Sequence, residues 1–226
     1  MRKKTLAAAA ALALLSVTPA LAHTTPGGPW YAGLGLGTAS VAMSQSYLDT
    51  VTNKIAAGLA PSGVTVTGSS ESTSGAVPVS LFGGYRVNRY FSAELGYIHF
   101  GTLGAHYTLA TTSGPLDVQA TDAPQAIALT ARGTLPLSRR WGLFARVGLA
   151  HYWETQAAVM TFLGTSQTQP TTSDSGLTGV FGLGASYRLA RVTWRVGVTI
   201  YPSIAKGLAS ASGGIVEGGI SGQYAF

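Results

Sequence analysis

The sequence predicts an all-β protein: an eight-stranded antiparallel up-and-down transmembrane β-barrel with long extracellular loops and short periplasmic turns. Three observations lead to this prediction. The chain begins with an export signal, eight segments alternate apolar and polar residues with the two-residue period of a strand, and the connections between those segments alternate between long and short. Charged residues form only 10% of the chain, and glycine, with 30 residues, lies inside the predicted strands as well as in turns.

The start of the chain has the pattern of a cleaved secretory signal. A basic opening, MRKK, precedes an apolar run over 6–17, and Ala20 and Ala22 supply the small residues of a cleavage site. An apolar run of roughly 12 residues is too short to cross a hydrocarbon core of about 30 Å as a helix. We therefore expect a signal peptide at 1–22 and a barrel domain at 23–226.

Composition excludes several other classes of protein. No later segment reaches the roughly 20 apolar residues of a spanning helix, so a barrel is the membrane-spanning structure open to this chain. Cysteine is absent, which argues against a disulfide framework. The net charge of +6 includes Arg2, Lys3 and Lys4, which leave with the signal, and no basic run remains in the mature chain. We therefore expect no nucleic-acid partner.

The clearest strand pair lies between residues 77 and 101. Its two arms, VPVSLFGGYR and FSAELGYIHF, each alternate an apolar and aromatic row with a small, polar or charged row. Only residues 87–90 separate the arms, so they form an antiparallel hairpin with a tight turn. The alternation by itself fits a soluble barrel with the apolar row inside, or a membrane barrel with that row facing lipid.

Six more segments complete the barrel and decide between these alternatives. Their ranges are 30–41, 125–137, 141–154, 175–189, 192–202 and 214–226. The short connections centre on Asn88, Arg139 and Ala190, whereas the long ones are polar. Outer-membrane barrels have an even number of strands, short periplasmic turns and long extracellular loops. We therefore expect the outer membrane of a Gram-negative bacterium, with both termini in the periplasm.

Three long connections are candidates for contacts with extracellular partners: 43–74, 102–124 and 155–173. In the first, the spacing of Leu48, Val51, Ile55 and Leu59 predicts a short helix over the barrel mouth, and a strand extension at 64–67 precedes a flexible tip. In the second, alternation continues and predicts a projecting hairpin. The third is rich in Thr, Ser and Gln and reads as a loop.

Charged residues within the strands are expected to face the lumen. An arginine facing lipid at the bilayer midplane costs about 2–4 kcal/mol, and each of these residues lies opposite its strand's apolar row. The predicted luminal charge network contains Glu94, Arg132, Arg146, Glu154, Arg195 and Glu217. We expect Glu94 to pair with Arg132, and Glu217 with Arg195, with Arg146 near either. The network is either a polar filling of the barrel or a charged gate in a narrow channel.

Aromatic residues predict two interfacial girdles. The first lies at the short-turn end and contains Trp30, Tyr85, Phe91, Trp141, Tyr187, Trp194, Tyr224 and Phe226; the second lies at the long-loop end and contains Tyr97, Phe100, Tyr107, Trp153 and Tyr201.

Four segments carry a resemblance to a known group of proteins: WYAGLGLG, FGGYRVNRYFSAELGY, FGLGASYRL and the terminal QYAF. The chain resembles, over 30–226, the outer-membrane β-barrel superfamily that contains the transmembrane domain of outer membrane protein A, the opacity-type proteins and outer membrane protein W. The resemblance implies a signal for the barrel assembly machinery at Ile220, Gly222, Tyr224 and Phe226. It also implies contact with outer-membrane lipid and lipopolysaccharide.

The sequence favours a non-enzymatic function. Some small barrels of this kind modify lipids, but none of the four histidine contexts matches a His-x-Ser site, GxSxG and HExxH are absent, and no histidines have metal-ligand spacing. We therefore expect no cofactor and no metal. The predicted function is a structural or surface-interaction role in envelope integrity or adhesion. One alternative is a narrow porin-like channel or conduit for small molecules, and another is a lipid-modifying outer-membrane enzyme.

Overall fold

The computed structural model describes residues 28–41, 53, 56–58, 60–204 and 214–226. Its strands are β1 (Trp30–Val41), β2 (Val66–Ser74), β3 (Val79–Arg86), β4 (Phe91–His99), β5 (Leu103–Thr111), β6 (Gly114–Asp122), β7 (Gln125–Pro136), β8 (Trp141–Phe162), β9 (Thr165–Thr168), β10 (Thr172–Leu189), β11 (Val192–Tyr201) and β12 (Ile215–Ala225). A 3₁₀ turn occupies Ala60–Ser62. No helix in the described ranges is long and apolar enough to cross a membrane. The predicted signal peptide at 1–22 and the four residues of the predicted helix lie outside the described residues.

Eight of these strands close into an antiparallel barrel. Their order around the wall is β1, β3, β4, β7, β8, β10, β11 and β12, and β12 returns to β1, where Tyr31 lies opposite Ala225. These strands correspond to the eight predicted from the alternation of apolar and polar residues, and the predicted fold class is confirmed.

The outward row of the barrel is apolar and exposed. Leu34, Leu95, Leu129, Leu149 and Leu183 are each about 58–68% exposed, although their chain neighbours on the opposite face are largely buried. A continuous belt of this kind is unusual on a soluble protein and is what a lipid-facing wall requires.

The short connections lie at one end and are built by side-chain caps and tight geometry. Asn88 Oδ1 accepts hydrogen bonds from the amides of Tyr90 and Phe91, both at 2.8 Å. Ser138 Oγ has the same role in the next turn and accepts from the amide of Trp141 at 3.0 Å. Ala190, with φ of 54°, lets β10 turn into β11 within two residues.

The first predicted girdle surrounds this end. Seven of its rings are 40–62% exposed: Trp30, Tyr85, Phe91, Trp141, Trp194, Tyr224 and Phe226. Two aromatic pairs with ring centroids 4.8 Å apart, Trp30–Tyr85 and Trp141–Tyr187, brace neighbouring strands. Aromatic side chains exposed at the ends of strands are typical of a membrane interface.

The second predicted girdle contains fewer rings than expected. Phe100 and Tyr201 are fully buried and Tyr107 is 8% exposed, so these three rings pack inside the protein. Phe100 and Tyr201 follow the outward residues His99 and Ile200, and the alternation of a strand turns them toward the lumen. Tyr97 and Trp153 remain on the wall, with stacked rings 6.3 Å apart.

The same sheet continues beyond the barrel wall at the long-loop end. We call β2, β5, β6, β9 and residues 156–162 of β8 the projecting sheet. Its pairs are β2–β5, β5–β6, β6–β8 and β8–β9, all antiparallel. The part of β8 beyond Trp153 is about 30 Å long at about 3.3 Å per residue.

The projecting sheet confirms one prediction and corrects two. The hairpin predicted within 102–124 is formed by β5 and β6. The flexible tip predicted after residue 67 is instead the edge strand β2, and the loop predicted at 155–173 is largely strand. Both segments are rich in Thr and Ser, which suggested loops, but β-branched Thr fits well into strands that have a partner to pair with.

Candidate functional site

The centre of the lumen is organised around one carboxylate, Glu94 on β4. Its Oε1 lies 2.9 Å from Nη1 of Arg132 and 2.7 Å from Nη1 of Arg195, and it accepts a hydrogen bond from the Tyr31 hydroxyl at 2.8 Å. All four side chains are at most 8% exposed. A buried charge needs this degree of compensation because desolvation alone would cost several kcal/mol.

Tyr31 was not singled out from the sequence, although it belongs to the inward row of β1 together with Gly33 and Gly35. Besides its hydrogen bond to Glu94, its ring lies 5.3 Å from the guanidinium carbon of Arg86 and 5.4 Å from that of Arg132. Gly84, on β3, lies opposite both Tyr31 and Glu94 in the strand register, and the tyrosine ring covers it. The missing Cβ of Gly84 therefore gives the ring its path to the carboxylate.

The structure brings together half of the predicted luminal residues in one cluster. Glu94 pairs with Arg132 as expected, but Arg195 also pairs with Glu94 rather than with Glu217. Glu217 accepts a hydrogen bond from the Tyr201 hydroxyl at 3.4 Å. Arg146 donates to the Thr199 hydroxyl. Strand alternation predicts that these side chains face the lumen, but the partner across the lumen depends on the shear of the barrel.

The half of the lumen toward the long-loop end is apolar. Phe100, Leu103, Ile204 and Ile215 are fully buried there with Tyr201, whose ring makes an edge contact with Phe100 at 5.0 Å between centroids. The sequence indicated glycine, Ser, Thr and charges throughout the lumen, so this apolar layer is a correction. Several of its residues lie just outside the predicted strands or at their ends, where alternation gives no assignment.

Glu154 lies apart from the other five residues of the predicted luminal network, at the rim of the long-loop end beyond Trp153. It is 1% exposed and accepts a hydrogen bond from Gln156 Nε2 at 2.9 Å. Asp122, at the base of the projecting sheet, is fully buried. Burial, and then the charge of Glu154, raise the pKa of Asp122 to about 7. The folded state therefore favours the protonated carboxyl.

The proximity of Asp122 and Glu154 predicts that the stability of the projecting sheet depends on pH. Because the folded pKa of Asp122 exceeds its ordinary value, its contribution to stability is greatest at low pH and is lost as the pH rises toward 7 and above. We expect proteolytic cleavage of the β5–β6 hairpin, normalised to an unfolded substrate, to be several-fold faster at pH 8 than at pH 5. Asp122→Asn should remove that difference.

Asp174→Asn is the matched control, because Asp174 is an exposed carboxylate on the neighbouring strand β10 that accepts a hydrogen bond from the amide of Ser175. It should keep the pH dependence of the wild type. An unchanged pH profile in Asp122→Asn would show that another group titrates.

A comparison against known families agrees with the barrel fold. A model of the OmpA-like transmembrane domain matches residues 27–198. The chain belongs to the OmpA-like transmembrane domain family. It is thus an outer-membrane β-barrel protein. No curated protein sequence matches the chain at a significant level.

Solved structures similar to this OmpA-like barrel cover most of its length. The N-terminal β-barrel domain of OprF from Pseudomonas aeruginosa is 10% identical, with 88% of this chain and 99% of that chain covered and a TM-score of 0.48. Ail of Yersinia pestis, in complex with the heparin analogue sucrose octasulfate, is 10% identical, with coverages of 87% and 99% and a TM-score of 0.44. Neisserial surface protein A is 12% identical, with coverages of 89% and 100% and a TM-score of 0.44.

The residues implied as an assembly signal lie on the last strand of the OmpA-like barrel. Ile220, Tyr224 and Phe226 are 48–62% exposed. They alternate with inward residues such as Gln223, so the row faces lipid at the seam where β12 meets β1. In the described ranges, no group of three or more His, Cys, Asp and Glu residues could hold a metal ion.

Proposed function

We propose that this protein is a closed structural barrel of the outer membrane, with both termini in the periplasm, that presents the projecting sheet to partners outside the cell. It performs no catalysis in this proposal. The observation that carries the proposal is the filling of the lumen at two successive levels, one polar and one apolar.

The polar level supports a closed barrel because its one carboxylate is held between two guanidinium groups. Glu94 and its two arginine partners meet across the lumen, and a permeating ion would have to separate them. Two cavities in the described part of the lumen, near Arg132 and near Arg146, have volumes of about 40 Å³ each. Each has room for roughly three water molecules, which is too little for a continuous aqueous path.

The apolar level supports the same conclusion. The cluster around Phe100 and Tyr201 lies between the charged layer and the outer mouth, so water at this level would displace packed apolar side chains. Burial of such side chains is favourable by roughly 25 cal/mol per Å² of apolar surface, and their exposure is correspondingly unfavourable.

The projecting sheet supports an interaction role. Loops and extensions on a rigid scaffold commonly carry recognition. Here the extension is hydrogen-bonded strand, and its outer edge β2 (VTGSSESTS) has small hydroxyl-bearing residues at six of nine positions. Such a surface offers hydrogen bonds to a partner without an apolar patch.

Single-channel recording of the refolded protein in planar bilayers tests the closed barrel. We expect no discrete openings from protein whose folding is verified by heat-modifiable gel mobility. Regular openings in the wild type would favour the channel alternative, above all if Glu94→Gln changed their conductance.

The interaction role is tested with a trimmed variant in which residues 104–121 are replaced by a two-residue Asn-Gly turn. Cells that express this variant should attach less to surfaces coated with extracellular-matrix glycoproteins than cells that express equal amounts of the full barrel. Equal attachment would contradict a role for the β5–β6 hairpin.

A further inference from the structure

A small cavity lies inside the barrel mouth at the short-turn end, and its wall is strongly basic. It has a volume of about 40 Å³, and four arginines line it: Arg86, Arg89, Arg132 and Arg188. The hydroxyl groups of Ser92, Ser186 and Thr193 also belong to its wall. None of the residues that line it is acidic. The closed barrel proposed above does not require such a cavity to bind anything.

Three of these arginines come from separate strands of the wall and converge on this mouth. Arg86 ends β3 and Arg132 lies on β7, yet both guanidinium groups approach the ring of Tyr31, at 5.3 and 5.4 Å. Their guanidinium carbons are therefore within about 11 Å of each other, because both lie close to the same ring. Arg188 approaches from β10, where it lies opposite Thr193 of β11.

The positive charge of this cavity is not balanced within the described part of the chain. One nitrogen of Arg132 pairs with Glu94. Arg86 and Arg188 take part in none of the ion pairs among the described residues. Arg86 and Arg188 are half-buried. Like charges brought close together repel one another, and partial burial makes this costly unless a counter-charge is present. The arrangement would be relieved by a bound anion.

Buried polar atoms in the same wall also lack partners. Ser92 is 6% exposed, and apart from a loose approach to the Tyr31 hydroxyl its hydroxyl oxygen makes no hydrogen bond in the described residues. The Nε atom of Arg132, a residue that is 7% exposed, is likewise without an acceptor. Buried donors are almost always satisfied in folded proteins. An unsatisfied hydroxyl and an unsatisfied guanidinium nitrogen at one cavity indicate an acceptor from outside the chain.

We propose that this cavity is a binding site for a single phosphate group, presented by inorganic phosphate, a phosphate monoester or a phospholipid headgroup. Guanidinium forks match the oxygen geometry of phosphate and bind it with charge-assisted hydrogen bonds. Arg86 and Arg188 supply two forks, and Ser92 and the free Nε of Arg132 supply further donors. The volume, roughly that of three waters, suits one phosphate group and excludes a sugar ring.

The site is tested by isothermal titration calorimetry of the full, refolded barrel in a non-ionic detergent, with sodium phosphate as the probe and sodium chloride at equal ionic strength as the reference. We expect saturable binding with one phosphate per barrel. Arg86→Gln and Arg188→Gln should each weaken the affinity at least tenfold. The absence of saturable binding would overturn the proposal.

Arg139→Gln is the matched control, since Arg139 is an exposed arginine of a neighbouring short turn that does not line the cavity. It should bind phosphate as the wild type does; an equal loss in this variant would reveal non-specific attraction and overturn the site. If an arginine variant does not fold, Ser92→Ala provides the second test. It removes no charge, and it should weaken the affinity several-fold, whereas an unchanged affinity would contradict the proposed geometry.

The source of the phosphate is separated by repeating the titration in nanodiscs. If phosphatidylglycerol discs abolish binding of inorganic phosphate while phosphatidylcholine discs preserve it, an anionic lipid headgroup occupies the site. Equal binding in both discs assigns the site to a soluble phosphate of the periplasm.

Discussion

Glu94→Gln is expected to destabilise the barrel by about 3–5 kcal/mol, because removal of one partner leaves buried charges uncompensated. In the wild type, one carboxylate oxygen of Glu94 contacts Arg132, Arg195 and Tyr31 together. Gln at this position carries no negative charge. Urea unfolding in lipid vesicles, followed by tryptophan fluorescence, measures the loss. We expect the midpoint to fall well below that of the wild type without a change in the transition's slope.

Glu217→Gln is the control for this variant. Glu217 is also a buried luminal carboxylate, but within the described structure it makes a hydrogen bond to Tyr201 and no ion pair. Its replacement should cost about 1 kcal/mol. Adding Arg195→Gln to Glu94→Gln should restore part of the lost stability, since one unpaired guanidinium is then removed. Equal losses in the two single variants would contradict the central role of Glu94.

Gly84→Ala is expected to have the second largest effect. A Cβ at this position would lie 2.6 Å from Cε2 of Tyr31 and closer to the end of the ring, so the ring must move away from Glu94. Overpacking of this kind costs about 1–3 kcal/mol. The same urea titration measures the loss of stability. The tyrosine signal in the near-UV circular dichroism spectrum should change as well.

The adjacent glycine provides a matched control. Gly83 faces lipid, and the nearest atom to an added Cβ is 3.9 Å away, so Gly83→Ala should change stability by less than about 0.5 kcal/mol. A double variant of Gly84→Ala with Tyr31→Phe should lose less than the sum of its parts, because both changes disturb the same hydrogen bond. Strict additivity would show that Gly84 acts elsewhere.

Alternation of residue types was sufficient to predict the wall of the barrel. A strand has only two faces, so a lipid-facing Leu95 dictates that Glu94 points inward, and no knowledge of the partner strand is required. The same reasoning could not predict that Arg195 of β11 reaches Glu94 of β4. That contact depends on the stagger of strands around the closed sheet, which is a property of all eight registers together.

The projecting sheet could not be predicted for a different reason. Thr and Ser are common both in loops and in paired strands, and the decision between these depends on whether a partner strand is present. For residues 156–162 that partner is β6, more than 30 positions earlier in the chain. The apolar layer was missed for a similar reason, since Phe100, Ile204 and Ile215 meet only when the strand ends are brought together by closure.

Strand β8 runs without interruption from the short-turn end of the barrel to the tip of the projecting sheet. It is paired with β10 and β7 within the wall and with β6 and β9 beyond it. Consequently β8 itself has no break at the membrane surface. A pull applied at the tip is carried as shear along the hydrogen-bonded ladders, which resist it together. An attached partner would therefore load the barrel wall directly, and the protein would act as a mechanical anchor and not as a flexible tether.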